Sequence, residues 1–242
     1  MDYKNTENWI LSRVPIFQNK GKVAYNPGLK NVSEFIKELN LPNNQLKFIH
    51  IGGTNGKGST SSYVSSILQE SGYKVGIFSS PHFYDFRERI KINNTKIEKS
   101  FIINFIKKNK KLIKRLGLSF FELSFGLCLD YFNKKKIDYA VIEVGLGGRL
   151  DATNIINPLI SVITNISFDH TDILGNSLKM IAKEKAGIIK KNSIVIIGER
   201  DVETDEIFIN KARQNSSSII FVSDNYSQTI YSDIDYLNKN IN

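Results

Sequence analysis

Thirteen residues from His50 to Ser62, HIGGTNGKGSTSS, begin within the apolar run Phe48-Ile49-His50-Ile51 and hold four glycines, one lysine and five hydroxyl side chains. Residues 47–51 read as a strand and 59–70 as a helix, so the glycines form the turn between them. A glycine-rich turn from a parallel strand into a helix presents successive backbone N–H groups at the helix N-terminus, where the dipole favours negative charge. The segment is a phosphate cradle, and Lys57 supplies a counter-charge. Its spacing departs from G-x-x-x-x-G-K-[ST] twice: Ile51 stands where the first glycine belongs, and Gly58 where a metal-binding hydroxyl belongs. Ser59 is left to meet a phosphate oxygen, and a magnesium ion must find ligands elsewhere in the chain.

Strand and helix periods alternate along the rest of the sequence. Residues 5–16 and 32–39 read as helices and 74–78 as a second strand. Residues 89–97 read as a hairpin turning at Asn93-Asn94, and 99–116 and 119–133 as two helices parted at Gly117. Residues 139–144 and 160–164 are apolar strands, the first interrupted only by Glu143. A helix over 177–187, a strand over 193–197, a helix over 204–214 and a strand over 219–222 complete the series. Strands apolar on both faces that alternate with helices imply a mostly parallel sheet covered on both sides. The expected fold class is α/β: a mostly parallel, doubly wound sheet with a phosphate loop after its first strand.

Composition excludes several classes. The chain has 242 residues, 41% of them hydrophobic, enough for a sizeable core. No stretch approaches the roughly 18–20 apolar residues of a membrane span, and MDYKNTENWI has neither the basic nor the apolar region of a signal peptide. A cytoplasmic protein is the default expectation. The single cysteine, Cys128, stands among Phe125, Leu127 and Leu129 and reads as a buried apolar thiol. The formal charge is +9, but the lysine runs at 107–111 and 134–136 have no interleaved aromatics. They read as solvated faces and not as a nucleic-acid interface, and the net field favours an anionic small substrate.

Open α/β sheets place their sites at the C-terminal ends of the strands. Three strands deliver polar groups there: 74–78 leads into Ser79-Ser80-Pro81-His82, 139–144 carries Glu143, and 160–164 leads to Asp169-His170. A carboxylate inside an apolar strand costs several kcal/mol unless it is paired or bound to metal, so Glu143 is the strongest functional candidate. On its own, His170 reads as a loop histidine.

The segments GGTNGKGST (52–60), SSPH (79–82), FRERI (86–90), FFE (120–122), VIEVGLGGRLDATN (141–154), SVITNISFDHTDILG (161–175) and IAKEKAGIIK (181–190) occur in that order. Together they resemble the N-terminal domain of folylpolyglutamate and dihydrofolate synthases, in the Mur ligase superfamily. Members join glutamate to a pteroate or folate carboxylate through an acyl phosphate, at the expense of ATP. The resemblance implies that Gly53, Thr54, Asn55, Gly56, Lys57, Gly58, Ser59 and Thr60 hold the ATP phosphates. It implies that Ser80, Glu143 and His170 ligate Mg2+, which resolves the Gly58 departure. It also matches Lys185 to a family lysine that is carbamylated; without it, Lys183, Glu184 and Lys185 read as a solvated helix face. Lys57, His170 and Lys185 are the expected catalytic groups.

Phe83, Phe86, Phe121 and Asp151 are the positions the resemblance places near the pterin, with Ser119 where the family often has threonine; each phenylalanine would serve equally well in a core. GGRLDATN, with Arg149 and Asp151, resembles the bifunctional members. The expected partners are the small molecules ATP, glutamate and a pteroate or folate, acting on a monomer with no nucleic acid or membrane. Residues 1–222 are expected to form the ATP-binding ligase domain, and 223–242 a polar tail or the start of a missing C-terminal domain. The alternatives are a phosphate-binding remnant without turnover, or a Mur-type ligase of peptidoglycan synthesis.

Overall fold

The computed structural model describes residues 2–13, 28–41 and 46–224. Helices α1 (Tyr3–Arg13) and α2 (Lys30–Leu39) precede β1 (Lys47–Gly52), α3 (Lys57–Glu70), β2 (Val75–Phe78), β3 (Ile90–Ile92) and β4 (Thr95–Lys96). Next come α4 (Lys99–Leu116), α5 (Phe120–Lys135), β5 (Tyr139–Glu143), β6 (Ile160–Ile163) and the one-turn α6 (Thr171–Leu174). The series closes with α7 (Leu178–Ala186), β7 (Ile194–Ile197), α8 (Asp205–Gln214) and β8 (Ser218–Phe221). The elements read from the sequence are all present, their described ends shifted by a residue or two. The expected end of the first helix over 14–16, and residues 225–242 of the expected tail, lie outside the described residues. Helix α6 and the 3-10 turns Phe86–Arg89, Ala152–Ile155 and Val222–Asp224 have no counterpart in the sequence reading. A single turn is too short to show a period.

The strands form one sheet in the order β4-β3-β2-β5-β1-β6-β7-β8. From β2 to β8 the pairing is parallel, and β3 and β4 add an antiparallel edge. Asn93 and Asn94 join β3 to β4 with φ of 44° and 61°, the positive pair a tight hairpin requires. Alternate residues of β1 face opposite layers. Ile49 and Ile51 join Val75, Val141 and the α3 residues Val64 and Leu68, while Phe48 packs into the larger core that contains Phe78, Ile142 and much of α5. On the far side of β1, Ile163, Val195 and Ile197 pack against Ala182, Ala186 and Phe208 of α7 and α8. The sheet is thus covered on both faces.

Chain order reverses at β1: β5 and β2 lie on one side, β6, β7 and β8 on the other. The crevice beyond the C-terminal ends of β1, β5 and β6 is therefore the switch point at which such sheets bind ligands. Among the described residues no helix is long and apolar enough to cross a membrane.

Helices α4 and α5 meet at Gly117, which ends α4 with φ of 60°, and Ser119 opens α5 with a reciprocal cap. Its hydroxyl accepts from Glu122 N at 3.2 Å, and Glu122 Oε2 accepts from Ser119 N at 2.7 Å. Further along α5, Gly126 lets α2 approach closely, because a Cβ there would lie 2.3 Å from the buried ring of Phe35. Gly126→Ala is expected to destabilise the fold by about 1–3 kcal/mol through overpacking. Urea unfolding should show a lower midpoint at unchanged m-value; an unchanged midpoint would show that Phe35 yields without cost.

Candidate active site

The turn from β1 into α3 is shaped by two glycines. Gly53 has φ of 131°, and a Cβ on it would stand 1.9 Å from Thr164 Oγ1, so the loop backbone lies directly on the end of β6. Gly56, with φ of 78°, is the N-cap of α3 and gives the first-turn N–H groups no side-chain acceptor. Those donors are available to an anion.

A second segment holds this loop from beneath. Thr54 N donates to Asn165 O at 3.0 Å, and Asn55 N to Asn165 Oδ1 at 2.9 Å. The Asn165 amide and the Thr164 hydroxyl donate to Asn55 O, at 3.3 and 2.6 Å. Thr54 Oγ1 accepts from Ser167 N at 3.1 Å. Residues 164–167 lie in the SVITNISFDHTDILG segment, but the sequence reading gave them no role: hydrogen bonds to backbone about a hundred positions away leave no local pattern.

Two lysines converge on the loop carbonyls. Lys57 Nζ donates to Gly53 O at 3.1 Å and Thr54 O at 2.9 Å, and Lys185 Nζ reaches Gly53 O at 2.8 Å. Lys185 is buried, contrary to its reading from bare sequence as part of a solvated face. Burial lowers its ammonium to about 8, and the charge of Lys57 pushes the same way. Its neighbour Glu184 instead forms an ion pair with Arg149 at 2.8 Å.

Glu143 ends β5 and is buried. Its Oε2 accepts from Ser80 N at 3.1 Å, which ties the strand end to the SSPH turn. A Cβ on Gly58 would lie 3.7 and 3.9 Å from the two carboxylate oxygens, so the start of α3 faces this acid. Burial raises the Glu143 carboxyl to about 6, against the Ser80 N–H and the Lys57 and Arg89 charges. An acid left under-compensated by its surroundings, with hard oxygen donors, suits magnesium. Arg89, quoted within FRERI but given no role by the sequence reading, is buried. It donates to His82 Nδ1 at 2.8 Å and lies 5.0 Å from the Phe120 ring, and burial lowers its guanidinium to about 10.

Ser80 and Glu143 are thus brought together. His170 stands on the same edge of the sheet, at the N-cap of α6 with φ of 44°, and its Nε2 lies 3.4 Å from Asp169 Oδ1. Among the described residues no three His, Cys, Asp or Glu side chains form a group that could hold a metal. The expected ligand set draws on a serine, which such a group does not include.

The expected pterin positions divide. Phe83 is 85% exposed, whereas Phe86 is 3% exposed in the core against His82 and Phe120. Phe86 thus packs as a core residue. Ser119 accepts a backbone hydrogen bond as the α5 cap. Phe121 lies over Gly145, where a Cβ would come within 2.5 Å of its ring. Asp151 is buried, and its carboxylate accepts from Gly145 N at 3.1 Å, Leu146 N at 2.9 Å and Thr153 N at 3.0 Å. It holds the 145–149 loop in place.

The model of the Mur ligase middle domain matches residues 51–240. This chain belongs to that family. It is 35% identical over 222 residues to the dihydrofolate synthase/folylpolyglutamate synthase of Bacillus subtilis (strain 168), covering 89% of this chain and 50% of the relative. The enzyme of the same name from Buchnera aphidicola subsp. Schizaphis graminum is 43% identical over 174 residues, 71% of this chain and 41% of that one. The crystal structure of the Thermotoga maritima folylpolyglutamate synthase superposes with a TM-score of 0.83 at 35% identity, over 95% of this chain and 52% of that one. A folylpolyglutamate synthase solved as an AMPPCP–folate complex gives 0.82 at 32% identity, over 91% and 54%. The chain spans half or less of the length of these curated relatives.

The raised Glu143 carboxyl makes stability pH-dependent. Because its folded value lies above the ordinary 4.5, the folded state binds more protons between 4.5 and about 6, and this contribution is lost as pH rises through that window. Glu143→Gln has no such loss, so its stability relative to wild type should rise by about 2 kcal/mol between pH ~4.5 and ~7. Urea titrations across that range check this. A constant difference would show that Glu143 is not desolvated.

Proposed function

We propose that this chain carries the phosphate- and metal-binding chemistry of an ATP-dependent ligase that joins L-glutamate to dihydropteroate, tetrahydrofolate or both, through an acyl phosphate. The observation that supports it best is the convergence of Lys57, Lys185 and an uncapped helix N-terminus on one glycine turn, with the buried Glu143 facing the start of that helix. The family resemblance adds the reaction and the carboxylate substrate.

In this reading the N–H groups of residues 53–60 hold the β and γ phosphates, and Lys57 leaves the Gly53 and Thr54 carbonyls to meet them. The substrate carboxylate attacks the γ-phosphorus in line, and ADP leaves with its charge held by Lys57 and the α3 dipole. The amino group of glutamate then attacks the acyl phosphate and displaces inorganic phosphate. Ser80, Glu143 and His170 would hold magnesium, which supplies charge neutralisation at the phosphate oxygens. Lys185 is suited to the carbamate that the resemblance implies, because its depressed ammonium leaves a substantial neutral amine near neutral pH. Addition of carbon dioxide to that amine, with loss of a proton, would replace an ammonium beside Lys57 with an anion.

The test is ADP release by the chain with Mg-ATP, with and without dihydropteroate or tetrahydrofolate. Release should rise when either carboxylate substrate is present and fall about 100-fold or more in Lys57→Ala. Release indifferent both to substrate and to Lys57 would contradict the proposal.

A further inference from the structure

His50 lies in the middle of β1, between Ile142 of β5 and Ser161 of β6, and is fully buried. Aliphatic residues suit such a position, and an imidazole there is unfavourable unless hydrogen-bonded. Its Nε2 lies 2.8 Å from Thr153 Oγ1, and its Nδ1 has no partner among the described residues. Thr153 Oγ1 in turn contacts Asp151 Oδ1 in a close hydrogen bond. Burial raises the Asp151 carboxyl, and three backbone N–H groups, those of Gly145, Leu146 and Thr153, oppose that rise by donating to its ionised form. The single Thr153 hydroxyl proton therefore goes to Asp151, the Thr153 oxygen accepts, and His50 must carry its proton on Nε2. Burial, followed by the charge of Lys190, lowers the His50 imidazole to about 3 and keeps it a neutral donor.

The far end of this chain is the 145–149 loop. Gly145 lies under Phe121, and a Cβ on Gly148 would be 3.0 Å from Lys185 Cα, so the loop is wedged between the expected substrate wall and the lysine on Gly53. His50 stands three residues before Gly53 on the strand that leads into the phosphate turn. We propose that His50 is a positioning residue: through Thr153 it fixes the Asp151 carboxylate and the Gly145-Leu146 backbone, so that one strand sets both the phosphate turn and the opposite, substrate-facing loop. The substrate side of this inference rests on the function proposed above; the positioning side does not.

Amide exchange and ligand titration on the chain separate the two. His50→Leu and Thr153→Val should speed exchange at Gly145 and Leu146 and weaken dihydropteroate binding by about 10- to 100-fold, as expected for losing a hydrogen bond to a charged group. ATP binding should change by less than about twofold, and Thr153→Ser and His50→Gln, which keep the hydroxyl and a donor, should recover most of the loss. Unchanged exchange in both disruptive variants, or equal weakening of both ligands as in general destabilisation, would overturn the proposal. Faster exchange with unaltered dihydropteroate affinity would uphold the positioning role and contradict the substrate reading of this loop. If His50→Leu does not fold, Thr153→Val and the imidazole 15N spectrum of the wild type decide. An Nε2–H tautomer that persists from pH ~5 to ~8 supports the proposal, and an Nδ1–H tautomer overturns it.

Discussion

The carbonyl of Gly53 receives two ammonium groups, one from Lys57 at the start of α3 and one from Lys185 in α7. Few arrangements in the molecule ask more of their surroundings. Two like charges meet at one acceptor, and the lysine with the less solvent has its ammonium depressed to about 8. The contact is possible only because Gly53 can adopt φ of 131° and lie flat on Thr164, which brings its carbonyl within reach of both. Residues 164–167 then fix Thr54 and Asn55 from below. Cations gathered around an otherwise bare helix N-terminus make a site that stays electrostatically incomplete until an anion with several negative charges arrives.

Glu143 is the complementary half of that imbalance. It is buried with one backbone N–H from Ser80, and Lys57 and Arg89 only partly offset its desolvation. Excess positive charge at the phosphate turn and an under-compensated acid facing the start of α3 are what a nucleotide with its divalent ion would jointly satisfy. The same reasoning accounts for Gly58. Its missing side chain leaves room in front of the Glu143 carboxylate, where a serine or threonine in a standard phosphate loop would carry the metal-binding hydroxyl.

The sheet was legible in the sequence because its strands are short apolar runs between turn signals such as Asn93-Asn94, and the phosphate turn because glycine, lysine and hydroxyls cluster in consecutive positions. The capping pair Ser119 and Glu122 was also present as a local signal, S-x-x-E, yet the resemblance drew Ser119 toward substrate. Other features depended on partners far away in the chain. Lys185 in an E-K run looks solvated until α7 packs against the Gly53 turn, and Phe86 looks available until His82 and Phe120 enclose it. Nothing near His50 in sequence announces Thr153, because the two meet only when the Ala152–Ile155 turn folds onto the sheet.

The central claim is that phosphate turn and buried acid form one nucleotide–metal site. Calorimetric titration of ATP, with and without magnesium, into wild type and Glu143→Gln tests it most directly. Magnesium should tighten ATP binding to the wild type and have little effect on the variant. Equal tightening in both, or none in the wild type, would contradict the account.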